Sequence, residues 1–450
     1  MDVIKSVKSC NGFYSPYMGC FTKLKTLNIN SHTVRCILDL LDNKTIECPN
    51  VNELNLSSID YSTICILIAK FGYFIKYLNL TYIKESTCVP IEVFQNLKSL
   101  SLKDCSIGQD ELVKFISSNH CKLKILEIVD TTPSTSPVFE NPQYDKILTQ
   151  GMAMNNTIKS LKLIMGSGFI MIESLMEFLG KNSRVKSLVL TIPIDYSFYF
   201  NQVPFINTSL KYIEFTEVKH LFTYWDCETS LITLKNMNLD ENDSLIKSNV
   251  LTNLENWDLT TYKISRIIEV LPYCKKIKQL SLKCFEEFSP KWDDFIDILK
   301  KTPTIQSLLI NFSNLNFVNQ FLFRNVPTIT KFEFCATCKN SNEIQNLKFL
   351  IVNNQILEYL NIDLTMPEKS GTLLLDLLSD VIGKSKHLLK FKFNQRICPV
   401  DLNQYQIDHL ITSIRNNNYI KVLDIKQYQK YNQIMDILKI YSKGTEYYSY

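Results

Sequence analysis

One six-residue string recurs along the whole chain: an apolar residue, two variable positions, a second apolar residue, one variable position and a third apolar residue. It reads LKTLNI from Leu24, VNELNL from Val51, IKYLNL from Ile75, LKSLSL from Leu97 and LKILEI from Leu123. It continues as IKSLKL from Ile158, VKSLVL from Val185, LKYIEF from Leu210, LKNMNL from Leu234 and LENWDL from Leu254. The last six are IKQLSL from Ile277, IQSLLI from Ile305, ITKFEF from Ile329, LEYLNI from Leu357, LLKFKF from Leu388 and IKVLDI from Ile420. From Leu24 to Ile420 the 16 copies cover 396 residues in 15 intervals, a mean period of about 26 residues. Apolar residues at the fourth and sixth positions, with variable ones between, are the alternation of a short strand buried on one face.

Between strings the apolar period changes from two to that of a helix. Ile172, Leu175, Met176 and Leu179 fall on one face of a helix expected over 171–182. The same spacing returns at Ile264, Ile267, Ile268 and Leu271, at Trp292, Phe295, Ile296 and Leu299, at Leu374, Leu377, Leu378 and Val381, and at Ile407, Leu410, Ile411 and Ile414. Each strand–helix unit leaves an apolar edge that it cannot bury alone, so the units must stack. The interval from Leu123 to Ile158 is long and holds the proline-rich segment TTPSTSPVFENPQ, expected to leave the stack as a loop over 131–143. Residues 1–23 and 427–450 lack the string and are expected to cap an array of about 16 repeats over 24–426.

These repeats resemble the leucine-rich-repeat superfamily, whose repeats run from 20 to 29 residues. The likeness is greatest to its ribonuclease-inhibitor-like and cysteine-containing types. It implies an α/β solenoid, a horseshoe with a parallel sheet on the concave side and helices on the convex side. The best unit is LKSLSLKDCSIGQDELVKFISSNHCK from Leu97. Cys105 there fills the ninth position, where the family carries Asn or Cys to hydrogen-bond the turn after the strand. Asn242 fills it in its own unit, whereas Ile59, Ile83, Thr131, Pro193, Tyr262 and Arg396 depart from the pattern, so a regular Asn or Cys ladder is not expected.

Composition decides a few further points. Only 11 glycines and 14 prolines in 450 residues argue against long linkers, and a net charge of +4 gives no case for a nucleic-acid or membrane surface. Fourteen cysteines could form a disulfide framework. The opening MDVIKSVKSCNGFYSPYMG has no apolar core or cleavage site, so reduced thiols in a cytoplasmic (or nuclear) protein are expected.

Chemical motifs are sparse. Gly383-Lys384-Ser385 ends like a phosphate loop, but Leu378 stands where its first glycine belongs. Gly166-Ser167-Gly168 has no third glycine and reads as a strand-end turn. Cys335 and Cys338 have the spacing of half a zinc site with no second pair nearby, Cys335 at an outward strand position and Cys338 just beyond. The histidines (His32, His120, His220, His387, His409) are scattered. No catalytic residue, cofactor or metal ligand is assigned, and an enzyme is not expected.

Side-chain alternation puts the third, fifth and seventh residues of each string on the open face of the sheet. Read down the array, that face is neutral at first, acidic in the middle and of mixed sign at the end. Aromatics beside charges are what binding hot spots favour. The candidate partner-binding residues are therefore Tyr77, Tyr212, Glu214, Asp240, Asp258, Tyr359, Asp363, Lys390 and Lys392. Lysine follows the first apolar residue in ten copies (Lys25, Lys76, Lys98, Lys124, Lys159, Lys186, Lys211, Lys235, Lys278, Lys421). This row reads first as a solvating edge that discourages edge-to-edge association, and second as a rim for an anionic partner.

The expected function is a monomeric protein-interaction scaffold holding a protein partner on the concave face, with no nucleic acid, membrane or cofactor. The resemblance also admits a substrate-recognition subunit of a ubiquitin ligase, although its adaptor-binding module has no room ahead of Leu24. A regulator of small GTPases or of actin is the other role it admits.

Overall fold

Large apolar residues at the fourth and sixth positions drive each string into a strand with one dry face, and the third to sixth residues of the expected strings lie in strands, save Leu239, which follows its strand. The structure, a computed structural model, describes residues 6–7, 25–35, 38, 50–83, 95–105, 109–118, 122–130, 144–195, 206–215, 230–241, 250–284, 291–311, 315–365, 371–395 and 404–426. The chain divides into two compact units, residues 1–231 with 248–250, and residues 232–247 with 251–450.

The first unit contains β1 (Ser6–Val7), β2 (Thr26–Asn30), β3 (Glu53–Ser57), β4 (Tyr77–Thr81), β5 (Ser99–Lys103), β6 (Ile125–Val129), β7 (Ser160–Ile164), β8 (Ile170–Met171), β9 (Ser187–Thr191), β10 (Ile194–Asp195) and β11 (Tyr212–Phe215). All but β8 and β10 form one parallel sheet in chain order, each strand paired with the next; β8 and β10 pair separately. Register follows the string: Leu54 stands opposite Leu78, and Leu78 opposite Leu100. The second unit contains β12 (Thr233–Asn238), β13 (Asn256–Thr261), β14 (Gln279–Cys284), β15 (Ser307–Ile310), β16 (Lys331–Thr337), β17 (Tyr359–Thr365), β18 (Lys390–Gln395) and β19 (Val422–Lys426), again parallel and in chain order. Parallel neighbours require a crossover between them, and helices supply many of these. They are α1 (Tyr61–Phe71), α2 (Gln109–Ser117) and α3 (Ile172–Lys181) in the first unit, and α4 (Ile264–Val270), α5 (Trp292–Lys301), α6 (Leu315–Arg324), α7 (Ser341–Asn353), α8 (Gly371–Lys384) and α9 (Gln404–Asn416) in the second.

Helices cover the face that carries the fourth and sixth positions. Phe321 of α6 meets Phe332 of β16 with ring centroids 4.3 Å apart, and Trp292 of α5 lies 4.8 Å from Phe317 of α6. The apolar stripes expected on α3, α5 and α8 are all buried. On α4 the stripe turns: Val270 is buried, Ile268 is only half-buried, and Leu271 opens a 3-10 turn at Leu271–Tyr273, where Pro272 ends the helix. On α9 Ile407 and Leu410 are buried while Ile411 and Ile414 are half-buried. Each unit is thus an α/β solenoid of leucine-rich strand–helix repeats, with its sheet on one side and helices on the other.

Two differences from the sequence expectation have local causes. First, β1, inside the expected N-terminal cap, extends the sheet in repeat register. Ser6 pairs with Thr26 and Val7 with Leu27, in repeat register, and IKSV from Ile4 is the first four positions of the string. It escapes the pattern because Ser9 replaces the third apolar residue and only 20 residues separate Ile4 from Leu24. Second, the unit assigned to Leu234 begins at Leu231. Leu234 pairs with Trp257 but Met237 pairs with Leu259, so one extra residue bulges out between them. Asn236 takes the left-handed conformation there, at φ 55°. The bulge lets two overlapping segments of LITLKNMNL fit one pattern, and the four buried positions are Leu231, Leu234, Met237 and Leu239. The rest of the expected N-terminal cap, the 131–143 loop and the 427–450 tail lie outside the described residues.

Candidate partner-binding face

Among the described residues, positions three, five and seven lie half-buried or exposed on the sheet face opposite the helices, as alternation requires. Parallel registration brings like positions of neighbouring repeats side by side, so polar side chains form rows across the strands. In the first unit Asn55 donates to Asn28 Oδ1 at 2.5 Å, and Asn79 donates to Asn55 Oδ1, a short amide ladder at position five. The row goes on with Ser101, which donates to Glu127 Oε2 at 3.4 Å, while Lys162 contacts Glu127 Oε1 at 2.5 Å. Beside the ladder a shallow depression of about 200 Å3 is lined by Asn28, Asn30, Asn55, Ser57, Asn79 and Thr81. Tyr77 stands at the margin of this row, 42% exposed. On β11 the Tyr212 hydroxyl donates to Glu214 Oε2 at 2.6 Å, holding that pair together.

The second unit carries a denser cluster. Lys331 Nζ lies 2.7 Å from Glu333 Oε1 and 4.8 Å from the centre of the Tyr359 ring, a cation over an aromatic face. Asn361 donates to Glu333 Oε2 at 2.9 Å. Register sets Tyr359 opposite Lys390, Asn361 opposite Lys392 and Asp363 opposite Asn394, and Lys392 Nζ reaches Asp424 at 3.8 Å. Burial pushes the Tyr359 hydroxyl up to about 12, with Glu333 and Asp424 adding to the rise. It remains a neutral donor at physiological pH. The arrangement offers an aromatic platform between alternating charges, suited to hydrogen-bonding and ion-pairing with a polypeptide surface.

Of the nine sequence candidates, Tyr359, Asp363, Lys390 and Lys392 are neighbours on β17 and β18. Tyr77, Tyr212 and Glu214 belong to the first unit, on strands apart from these. Asp258 is on the sheet face of β13 and accepts from Ser281 at 2.9 Å. Asp240 is the exception. With the repeat starting at Leu231 it occupies the ninth position, past the end of β12, not the seventh. Its carboxylate accepts from Thr261 Oγ1 at 3.0 Å and from the Tyr262 backbone N–H, so it ties one strand end to the next. Lys235 likewise leaves the lysine row, because it falls in the bulge.

Cys105 makes the ninth-position contact that the resemblance implied: its buried thiol lies 3.3 Å from the carbonyls of Leu80 and Lys103, and burial raises its pKa. Cys335 is half-buried on β16, and Cys338 is buried just past the strand, its thiol pushed up to about 12 by burial and Glu343. Gly383 packs α8 against α9; a Cβ there would stand 3.1 Å from Ser413 Oγ. Among the described residues no group of three or more His, Cys, Asp or Glu side chains is arranged to hold a metal ion, and no helix is long and apolar enough to cross a membrane.

A second set of asparagines carries the fold and was not singled out from the sequence. Asn155, Asn182, Asn207, Asn354 and Asn417 each stand three residues before a string. Each Oδ1 accepts the backbone N–H groups two and three residues on, and each Nδ2 donates to a carbonyl of the preceding repeat. The signal was legible as Asn-x-x before the first apolar residue, but it lies just outside the string.

No protein-family model matches the sequence, and neither does any curated protein. Among solved structures the chain is similar to the tropomodulin C-terminal domain from Caenorhabditis elegans, at 17% identity and TM-score 0.27, over 34% of this chain and 91% of that one. It is similar to an internalin from Listeria monocytogenes, at 14% identity and TM-score 0.30, over 81% of this chain and 84% of that one. A leucine-rich-repeat protein from Leptospira interrogans is similar at 12% identity and TM-score 0.31, over 94% of this chain and 93% of that one. The fold assigned above rests on the strand register and burial of this chain, not on these likenesses.

Proposed function

We propose that the chain is a protein-interaction scaffold of the ribonuclease-inhibitor-like type that holds a polypeptide partner against the open face of its sheet. The observation that carries this reading is the cluster on β16 to β19, where Tyr359 lies between Lys331, Lys390, Lys392 and the carboxylates of Glu333 and Asp424. Interface hot spots favour an aromatic anchor ringed by polar groups, and charge complementarity around it sets orientation and partner choice. A rigid sheet also presents these groups at low ordering cost.

The test is affinity capture by the intact chain and by a Tyr359→Ala, Lys390→Glu, Lys392→Glu variant, both checked for an unchanged circular dichroism spectrum. The reading expects one partner set held by the intact chain and lost by the variant. Full retention by the folded variant would move the function off this face.

A further inference from the structure

The position-two lysines of the first unit form a continuous column. Lys76 N donates to Asn52 O, Lys98 N to Lys76 O, Lys124 N to Lys98 O, Lys159 N to Lys124 O, Lys186 N to Lys159 O and Lys211 N to Lys186 O, each at 2.8 Å, and Asn52 N donates to Lys25 O at 3.0 Å. Seven of the eight residues in this column are therefore lysines on successive strands. All seven side chains are exposed, and among the described residues none makes an ion pair. Strands lie about 4.8 Å apart, so the column runs about 34 Å with neighbouring charges well inside a Debye length.

A solvating edge does not need this. The equivalent column of the second unit is bonded in the same way and reads Ile232, Glu255, Lys278, Gln306, Thr330, Glu358, Leu389 and Lys421. The position there accepts apolar, neutral and acidic residues, and Lys278 pairs with Glu255 at 2.9 Å. Lysine is concentrated in the first unit at the expense of mutual repulsion, which a bound row of negative charge would relieve. The sheet-face carboxylates beside it are already engaged: Glu53 by Thr26 and Asn55, Glu127 by Lys162, and Glu214 by Tyr212.

We propose that the lysine column of the first unit is a docking rail for an extended acidic polypeptide segment of about ten residues, the length that spans it at about 3.3 Å per residue. A polypeptide suits the rail better than a nucleic acid. Single strands are bound by aromatic platforms interleaved with the charges, whereas the exposed aromatics of the first unit's described residues (Tyr73, Phe74, Tyr77 and Tyr82) all lie within six residues of Lys76 in the chain, with none beside the later lysines. Arg184, two residues before Lys186, donates to the Asn156 carbonyl at 2.8 Å. The position-three row alongside brings the hydroxyls of Ser99, Ser160 and Ser187, which suit peptide backbone groups.

This inference rests on the scaffold reading only in taking the ligand to be a polypeptide, and it concerns residues the capture experiment leaves intact. The test uses the full chain and a fluorescent deca-glutamate peptide, titrated at low and at about 0.5 M salt. A Lys98→Gln, Lys124→Gln, Lys159→Gln, Lys186→Gln variant is compared with a Lys278→Gln, Lys421→Gln control. The rail predicts saturable binding that weakens about tenfold or more in the first variant and with salt, and is unchanged in the control. Equal binding by both variants, no binding by the intact chain, or preferential binding of an oligothymidylate or of phosphatidylserine vesicles overturns it.

Discussion

Asn207 shows how much a single side chain can do in a repeat array. Its Nδ2 donates to Leu179 O at 2.6 Å and Asn182 O at 2.9 Å, and its Oδ1 accepts from the backbones of Ser209 and Leu210 at 3.0 Å. It is 4% exposed, so water cannot replace these bonds. Asn207→Ala should cost about 3 kcal/mol in denaturant unfolding, well above a surface substitution. A cost below about 1 kcal/mol would show that the bridge between repeats is dispensable. Asp60 makes the corresponding prediction for pH. It caps α1, accepting from the Ser62 hydroxyl and from Thr63 N at 2.9 Å, and these bonds lower its pKa to about 2. A folded-state pKa below the unfolded value of about 3.9 means that its contribution is present above pH 4 and fades as pH falls towards 2. Asp60→Ala should cost about 1 kcal/mol at neutral pH. The gap to the parent chain should close in acid, and an acid-independent gap would contradict the assignment.

At the level of elements, packing of α8 on α9 offers a prediction of sign. Gly383→Ala places a methyl group 3.1 Å from Ser413 Oγ and should destabilise by about 1 kcal/mol. In a Ser413→Ala background the clash is gone, and the better helix former should stabilise by about 0.5 kcal/mol. Additive effects in that cycle would exclude the contact. The strands themselves were legible because alternation of apolar residues is a direct image of a sheet with one dry face. Pairing across strands was not. Tyr359 beside Lys331 and Lys390 follows from register, which no single string encodes. The β12 bulge was hidden for the related reason that one inserted residue leaves a second segment matching the same pattern, and this displaced Asp240 from the open face to a strand-end turn. The helix stripes read correctly on α3, α5 and α8 and drifted on α4, where Pro272 cuts the helix short, and on α9, where Ile411 and Ile414 are half-buried.

Across the whole molecule, sixteen strings named the architecture, while the proposed function rests on which groups the register assembles on the open face. Gly383 packs α8 against α9 and Cys338 is buried, while rows of amides, carboxylates, lysines and tyrosines face solvent on the sheet. We propose that the partner is held through the open sheet face. The direct measurement is the acetylation rate of individual lysines, read by mass spectrometry on the full chain with and without its captured partner. The account predicts slowed labelling of Lys331, Lys390 and Lys392 on the sheet face, with Lys300 and Lys301 of α5 unchanged. Protection of the α5 lysines with the sheet lysines unaffected would contradict it and put the partner on the helices.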